Sequence, residues 1–304
     1  MLYRVPEHFY HGWGLLNRSA FKPLIVLLVM MLVLFSAGLP SAHGSTPIVF
    51  DATANGAMVG SALTFSWSHT VGSGANRILV VGVASRAVAV AGITYGGTPL
   101  AFIAGQNDPS DFSRAEMWYL LSPPSGTAIV QVTFTNPGAP LPYALGGSVS
   151  YFNVAGVGNF NSANGASSLA SVMVNADSGD LVVDTLAGAA GSLPSAPSAG
   201  VGQTVRWSVQ SAVFPNDFSA GSDKAAASPV TMTWSIGGSR PTWALIGADL
   251  QPVTQPAVHP LNVGGEMLPV NMLRVVAPWI VAVLALTMVA VETLVIRRKK
   301  SRKA

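Results

Sequence analysis

The sequence LTFSWSHTVGSGANRILVVGV, residues 63–83, decides the predicted fold. In its first part Leu63, Phe65 and Trp67 alternate with small polar residues, which is the pattern of a strand with one buried face. In its last part residues 78–83 form an uninterrupted apolar run, which predicts a strand buried on both faces. The glycine-rich segment between the two parts supplies a turn. Two strands joined in this way indicate a packed β structure.

The rest of the body, residues 48–252, continues as short strands separated by turn residues, and no segment has a sustained helical period. Gly96-Gly97 predicts a tight hairpin because both positions tolerate positive φ. We therefore predict an all-β, antiparallel two-sheet β-sandwich that is jelly-roll-like and has a single core. No internal repeat is evident in the sequence. Further predicted strands are residues 93–95, 100–102, 116–121, 128–134, 144–152, 169–174, 181–186, 201–209, 230–236 and 243–250.

The charges are separated along the chain. Half of the residues are hydrophobic and only 10% are charged. Residues 45–270 hold six basic and eleven acidic residues, whereas the last eight residues hold six basic ones and no acid. An acidic body lacks the basic face that phosphate binding needs, so we expect no nucleic acid partner. The absence of cysteine excludes structural disulfides, cysteine-ligated metals and thiol nucleophiles.

An apolar segment near the N-terminus predicts export. Residues 24–39 are apolar and follow two basic residues, while Ala42 and Gly44 occupy the −3 and −1 positions of a cleavage site. This is the pattern of a secretory signal over residues 1–44, cleaved before Ser45, with an uncleaved anchor helix as the alternative. Sixteen residues at about 1.5 Å each barely cross about 30 Å of hydrocarbon, which favours cleavage.

A second apolar segment, residues 275–296, is long enough to span a bilayer as one helix. The positive-inside rule places the basic tail, residues 297–304, in the cytoplasm and the body, residues 45–252, outside. Residues 253–274 hold several prolines and predict a stalk. An alternative for this region is a sortase sorting signal at residues 268–272. The predicted membrane-anchor residues are Trp279, Arg297, Arg298, Lys299 and Lys300.

Two parts of the chain resemble known modules. The segment from Trp67 to Val83, the strand Met117-Trp118-Tyr119-Leu120 and the closing Trp243-Ala244-Leu245-Ile246-Gly247-Ala248-Asp249-Leu250 resemble a β-sandwich module of secreted bacterial proteins. The resemblance covers roughly residues 48–252 and implies a jelly-roll-like surface module of mostly unassigned function. Residues 263–271, running into Ala277-Pro278-Trp279-Ile280, are similar to a C-terminal anchor segment of prokaryotic surface proteins, which implies anchoring.

Aromatic residues supply the candidate ligand contacts. One group shares the phase of its apolar neighbours and is therefore predicted to lie in the core: Trp67, Trp207 and Trp234. A second group lies on the other phase or in predicted loops, and we expect its members to be exposed and able to bind a ligand: Trp118, Tyr143 and Phe218. A glycan or another surface protein is the expected partner of these residues, beside the lipid around the anchor.

Acidic residues supply the candidate metal and catalytic groups. Asp177, Asp180 and Asp184 are the predicted calcium ligands, although their spacing is not that of an EF-hand. No cofactor other than calcium is expected. Glu116 is the only glutamate of the predicted sandwich, and it either pairs with an arginine such as Arg114 or joins a second acid. In the second case the alternative function is an exported hydrolase that acts on glycans.

The expected protein is a single-pass membrane protein of the cell surface, with its body outside and its C-terminus in the cytoplasm. Its expected role is binding, adhesion or envelope structure without catalysis. His69 is the only histidine of the sandwich, no Gly-x-Ser-x-Gly elbow accompanies it, and its place beside a turn predicts an exposed side chain. Self-association is a further expectation, because few lysines or prolines interrupt the strands and protect their edges.

Overall fold

The computed structural model describes residues 45–57, 62–86, 88–135, 143–192, 195–211 and 216–254, which contain seventeen strands and no helix. The first half of the body contains β1 (Val49–Ala57), β2 (Thr64–Val71), β3 (Ile78–Ser85), β4 (Val90–Tyr95), β5 (Thr98–Pro99), β6 (Ala101–Asn107), β7 (Arg114–Leu121), β8 (Gly126–Phe134) and β9 (Ala144–Phe152). The second half contains β10 (Val154–Gly165), β11 (Leu169–Val174), β12 (Leu181–Ala190), β13 (Ser198–Ala199), β14 (Thr204–Gln210), β15 (Asn216–Ala225), β16 (Val230–Ser235) and β17 (Thr242–Pro252).

The strands form four antiparallel sheets. The first outer sheet has the order β2-β8-β4-β5, and the first inner sheet has the order β1-β9-β3-β7-β6. The second inner sheet has the order β10-β17-β12-β15-β14, and the second outer sheet has the order β11-β16-β13. In each half, consecutive strands alternate between the two sheets at the start and at the end of the half, as in a jelly roll. The all-β antiparallel prediction is therefore confirmed.

The predicted count of two sheets around a single core is wrong, because three separate apolar layers hold four sheets together. The first layer lies between the first outer and first inner sheets, and the third lies between the second inner and second outer sheets. The middle layer joins the two inner sheets, with Val80 and Met117 on one side and Val183 and Ile246 on the other. The body is thus two sandwiches stacked through their inner sheets.

Strand β3 shows why the stack forms. All eight of its residues are buried. Leu79, Val81 and Val83 belong to the first apolar layer, whereas Ile78 and Val80 face the second inner sheet. Because both faces of the strand are apolar, both must be covered by another sheet. The sequence prediction that residues 78–83 are buried on both faces is confirmed.

The two halves repeat one topology. Replacing β1, β2, β3, β4, β6, β7, β8 and β9 by β10, β11, β12, β13, β14, β15, β16 and β17 converts the strand orders of the first half into those of the second. Strand β5 has no counterpart. In the stack β3 contacts its own counterpart, β12. Strand β1 contacts β14, and the counterparts of these two strands, β10 and β6, also contact each other. The halves are related by a pseudo-two-fold axis that the sequence alone does not reveal.

Polar side chains also join the halves. The Tyr151 hydroxyl donates to Oδ2 of Asp223 at 2.7 Å, and the Thr242 hydroxyl donates to Oδ2 of Asp108 at 2.6 Å. Ser162 Oγ donates to Oε1 of Gln106 at 2.9 Å, which links β10 with β6. These hydrogen bonds lie at different points around the middle layer and fix the orientation of one half on the other.

Trp207 requires glycine at two positions of the facing sheet. Its indole, on β14, is buried against Gly147 of β9 and Gly82 of β3. A Cβ at Gly82 would lie 2.8 Å from Cζ2 of Trp207, and a Cβ at Gly147 would overlap the indole ring. Real Cβ atoms do not approach other atoms so closely, so both glycines leave the space that the tryptophan fills. The burial predicted for Trp67, Trp207 and Trp234 is confirmed.

The Gly147→Ala change should lower the unfolding temperature, because the added methyl group displaces Trp207 from the middle layer. Overpacking of this kind costs about 1–3 kcal/mol, and each kcal/mol lowers the unfolding temperature of a body of this size by about 2–4 °C. Thermal unfolding followed by circular dichroism measures the effect. Gly156→Ala is the matched control, because a Cβ at Gly156 has no atom within 4 Å. Equal unfolding temperatures for the two variants would contradict the packing described here.

Candidate functional site

A cleft opens where the two halves meet at the ends of β3, β9, β12 and β15. It encloses about 220 Å³, including its solvent-filled mouth. Ser85, Arg86 and Tyr143 line it from the first half, and Gly188 and Asp217 line it from the second. Because both halves supply walls, the cleft depends on the stacking of the inner sheets.

Arg86 is held in the cleft by an ion pair and two aromatic rings. Its Nη2 and Nε lie 2.9 and 3.2 Å from Oδ2 of Asp217. Its Cζ lies 4.7 Å from the ring centre of Phe112 and 4.9 Å from that of Tyr143. A guanidinium close to two aromatic rings gains cation–π attraction from each of them and loses rotational freedom. Its plane is therefore fixed before any ligand arrives.

The charge of Asp217 depends on Arg86. Burial raises the pKa of Asp217, while the hydrogen bond and positive charge of Arg86 act in the opposite direction. The side chains of Arg86 and Asp217 remain 19% and 10% exposed, so the pair is reachable from solvent. Among the described residues, Nη1 of Arg86 has no hydrogen-bond partner. Arg86 thus brings a donor that has no partner among the described residues close to a carboxylate and an aromatic ring.

Of the three predicted ligand-binding aromatics, Tyr143 alone lines the cleft. Trp118 is 9% exposed, belongs to the first apolar layer and donates its indole N–H to Oε2 of Glu116 at 3.0 Å. Phe218 is fully buried in the third layer. The predicted exposure of Trp118 and Phe218 is therefore wrong. Both residues lie on strands inside an inner sheet, and both faces of such a strand pack against apolar layers. A side chain that points away from one layer is therefore buried in the other layer instead of exposed to solvent.

The structure separates the predicted calcium ligands. Asp177 and Asp180 lie in one turn, where the Asp177 N–H donates to Oδ2 of Asp180 at 2.8 Å. Asp184 points into the third apolar layer, where it accepts hydrogen bonds from Ser222 N at 2.7 Å and Trp234 Nε1 at 2.8 Å. Across the described ranges, no three histidine, aspartate or glutamate side chains are arranged to hold a metal ion.

Burial dominates the ionisation of Asp184. It raises the pKa of Asp184 from 3.8 to about 7, against the stabilising hydrogen bonds from Trp234 and Ser222. No described arginine or lysine forms an ion pair with it, since the three salt bridges of the described body use Asp217, Glu116 and Asp223. Asp184 is therefore a buried acid that holds its proton close to neutral pH.

Glu116 is buried on β7 with three donors around it. Its Oε1 accepts from Arg114 Nε at 2.6 Å and from Val90 N at 3.1 Å, and its Oε2 accepts from Trp118. The structure thus realises the first of the two arrangements expected for Glu116, the pair with Arg114. No second acid lies among the hydrogen-bond partners that the described residues supply, and the cleft is lined by other residues.

His69 is buried, at 1% exposure, so the predicted surface position is wrong. Its Nδ1 lies 2.8 Å from Ser148 Oγ and its Nε2 lies 3.1 Å from Ser150 Oγ. The Ser150 hydroxyl donates to Oδ2 of Asp51 at 2.7 Å. In a catalytic triad the carboxylate contacts the imidazole, whereas here it contacts the serine. Burial lowers the pKa of His69 to about 4, against the charge of Asp51, so the ring is neutral.

Several predicted features lie outside the described residues. These are the signal segment, the stalk beyond residue 254, the membrane helix, and the anchor residues Trp279, Arg297, Arg298, Lys299 and Lys300. In the part of the chain that the structure describes, no helix is long and apolar enough to cross a membrane. No family model, curated protein or solved structure matches the chain. The resemblances drawn from sequence therefore stay predictions.

Replacing Asp184 by asparagine should make the stability of the protein less dependent on pH. Between about pH 4 and pH 7 the folded protein retains a proton on Asp184 that the unfolded chain releases, because the folded pKa is about 7 and the ordinary value is 3.8. The resulting stabilisation is full below the ordinary value and is lost as the pH rises through about 7. Thermal unfolding from pH 4 to pH 8 should show a shallower fall for Asp184→Asn.

Asp111→Asn is the control for this prediction, because Asp111 is an exposed acid in the loop between β6 and β7. Its variant should retain the wild-type slope. The lowered pKa of His69 acts in the opposite direction between about pH 4 and 6.5, but it does so equally in all three proteins. A slope for Asp184→Asn equal to that of the wild type would contradict the assignment.

Proposed function

We propose that this chain is an exported, membrane-anchored surface protein whose folded body binds a glycan at the cleft between its two halves, without catalysis. The observation that carries the proposal is the fixed guanidinium of Arg86, which lies over the rings of Phe112 and Tyr143 and pairs with Asp217. Adhesion or organisation of the cell envelope would follow from such binding.

The chemistry of the cleft suits a sugar. Arg86 and Asp217 offer planar donor and acceptor groups. Arg86 covers one face of the Tyr143 ring, so the other face would be the one that stacks on a sugar. Ligand sites generally combine an apolar wall with a few fixed polar groups of this kind. Open solvent at the mouth is included in the 220 Å³, and the interior has room for about one water molecule, so the cleft would hold only the edge of a terminal sugar unit.

The proposed surface location is supported by the order of segments in the chain. Ser45 is the first residue after the predicted signal, and Thr254 is the second residue of the predicted stalk, residues 253–274. Ser45 pairs with Thr254, and the Thr46 N–H donates to the Val253 carbonyl at 3.0 Å. Both ends of the body therefore leave from one edge, which suits a body tethered by its C-terminal side.

Cells that carry the full-length chain should bind at least one glycan of a glycan array. Cells that carry the variant Tyr143→Ala or Arg86→Lys should bind that glycan at least tenfold more weakly. Tyr143→Ala removes the stacking face. Arg86→Lys retains the charge but loses the planar guanidinium that stacks and donates in fixed directions. Fluorescent glycan bound to intact cells measures the effect.

Phe160→Ala is the matched control, because Phe160 is an aromatic residue that is 56% exposed and lies outside the cleft. It should bind as the wild type does. Protease treatment of intact cells should release the body and abolish binding if the body lies outside. Equal glycan binding by Tyr143→Ala and Phe160→Ala would show that the cleft is not the binding site. A body that resists the protease on intact cells but is digested in lysates would contradict the surface location.

A further inference from the structure

A cluster of polar side chains joins the second outer sheet to the second inner sheet, and we call it the glutamine cluster. Its members are Thr233 on β16, Asp184 on β12, Ser222 on β15, and Gln203, which directly precedes β14. The amide of Gln203 lies at its centre. Oε1 of Gln203 faces Thr233, and Nε2 faces Asp184 and Ser222. None of these residues lines the cleft at Arg86.

A turn at residues 200–203 holds Thr233 by both of its backbone groups. The Gly200 N–H donates to the Thr233 carbonyl at 2.9 Å, and the Thr233 N–H donates to Oε1 of Gln203 at 2.7 Å. The Gln203 N–H donates in turn to the Gly200 carbonyl at 3.1 Å, which closes the turn. The hydroxyl of Thr233 and the amide of Gln203 are therefore held side by side by the backbone.

The lack of a side chain at Gly200 leaves room for the Thr233 hydroxyl. A Cβ at Gly200 would overlap Oγ1 of Thr233 and would lie 3.0 Å from Oε1 of Gln203. Oγ1 of Thr233 itself lies 3.4 Å from Oε1 of Gln203. Since a C=O bond is about 1.23 Å long, the amide carbon of Gln203 lies at most about 4.6 Å from this hydroxyl oxygen. A nucleophile and an electrophilic carbon are thus neighbours in the cluster.

Asp184 is the acid of the glutamine cluster. Its Oδ2 accepts hydrogen bonds from Gln203 Nε2 at 3.4 Å and from Trp234 Nε1 at 2.8 Å, while its Oδ1 accepts from Ser222. Burial raises the pKa of Asp184 to about 7, so its carboxyl group can both give and take a proton near neutral pH. That proton is available beside Nε2, the atom that leaves when a side-chain amide is substituted.

We propose that Thr233 and Gln203 react with each other to form an ester cross-link within the folded chain, with Asp184 as the proton-transfer group. The bond between Oγ1 of Thr233 and the amide carbon of Gln203 forms, and the bond between that carbon and Nε2 breaks. Nε2 takes a proton from Asp184 and leaves as ammonia. The hydroxyl proton of Thr233 then passes through a water molecule to Asp184 and restores it. The atoms balance without an oxidant or a reductant.

Three features of the cluster favour this reaction. The Thr233 N–H donates to Oε1 of Gln203, where negative charge develops when a hydroxyl attacks an amide, and a fixed donor of this kind lowers the barrier. The turn makes the reaction intramolecular, which removes the entropic cost of bringing the two groups together. Thr233 and Gln203 are half-buried, so the ammonia escapes into solvent and its dilution draws the reaction forward.

The cross-link would tie β16, the central strand of the second outer sheet, to the start of β14, an edge strand of the second inner sheet. It would close a loop over residues 203–233. A covalent link between residues that are distant in sequence stabilises a fold by restricting the unfolded chain. In a chain without cysteine, the ester would serve the purpose that a disulfide serves elsewhere.

Peptide mapping of the purified full-length chain by mass spectrometry tests the proposal. The tryptic peptide that ends at Arg206 holds Gln203, and the tryptic peptide that begins at Ala225 holds Thr233. In the wild type these two peptides should appear as one linked species, lighter than their sum by one molecule of ammonia. Dilute hydroxylamine, which cleaves esters faster than amides, should separate them.

Variants of the three reacting residues should change the linked fraction. Thr233→Ser keeps a hydroxyl and should keep the link, whereas Thr233→Val and Gln203→Glu should lose it. Asp184→Asn should lower the linked fraction of freshly purified protein at least tenfold, since proton transfer by a positioned side chain contributes about 10²–10⁴-fold to a rate. Thr231→Val is the matched control, because Thr231 is an exposed threonine of the same strand, and it should be linked as the wild type is.

Three outcomes would overturn the proposal. The first is a wild type whose two peptides are found separately and at their full sequence masses, a result that requires no variant to fold. The second is a linked species that persists in Thr233→Val or in Gln203→Glu, which would place the cross-link at other residues. The third is an equal linked fraction in Asp184→Asn and the wild type, which would show that Asp184 is not the proton-transfer group.

Discussion

The packing of the two inner sheets against each other is the interaction on which the rest of the structure depends. Strand β3 has apolar residues on both faces, so one sandwich cannot cover it. The second inner sheet supplies the missing cover, and its Trp207 fills the space left by Gly147 and Gly82. The cleft at Arg86 exists only because this stacking brings Asp217 of one half to Tyr143 of the other. Burial of both strand faces thus creates the architecture and the candidate site together.

The same stacking explains where the acids lie. The strands inside an inner sheet, away from its edges, have no solvent-facing phase, so an acid placed on them is buried and must find donors. Glu116 and Asp223 have an arginine each, at 2.6 Å in both cases. Asp184 has only neutral donors, and Oδ1 of Asp249 has no partner in the described structure. Glu116 and Asp223 are thus stabilised by a charged donor, whereas Asp184 and Asp249 are not. Burial raises the pKa of Asp184 and of Asp249 to about 7.

The sequence predicts individual strands better than their assembly. Residues 144–152 and 169–174 form strands with the predicted bounds, because their apolar pattern is local. Strand β15 was not predicted, since NDFSAGSDKA is polar and only the stacked sheets bury it. His69 shares the phase of Phe65 and Trp67, a signal that favours burial but was outweighed by the nearby turn. The cleft joins residues that are far apart in sequence, such as Arg86 and Asp217, so no local pattern predicts it.

Cysteine cross-linking between the two halves tests the stacked architecture most directly, because the chain has no cysteine of its own. Gln106 and Ser162 hydrogen-bond to each other across the halves at 2.9 Å through the long glutamine side chain, so cysteines at these positions lie within reach of a short thiol cross-linker. The double variant Gln106→Cys, Ser162→Cys should form an intrachain cross-link with a short bifunctional maleimide, detected by mass and by gel mobility. Gln131→Cys with Thr231→Cys, on the two outer sheets about 30 Å apart at about 10 Å per layer, should form none. Bonding in neither pair, or equally in both, would contradict the four-layer stack.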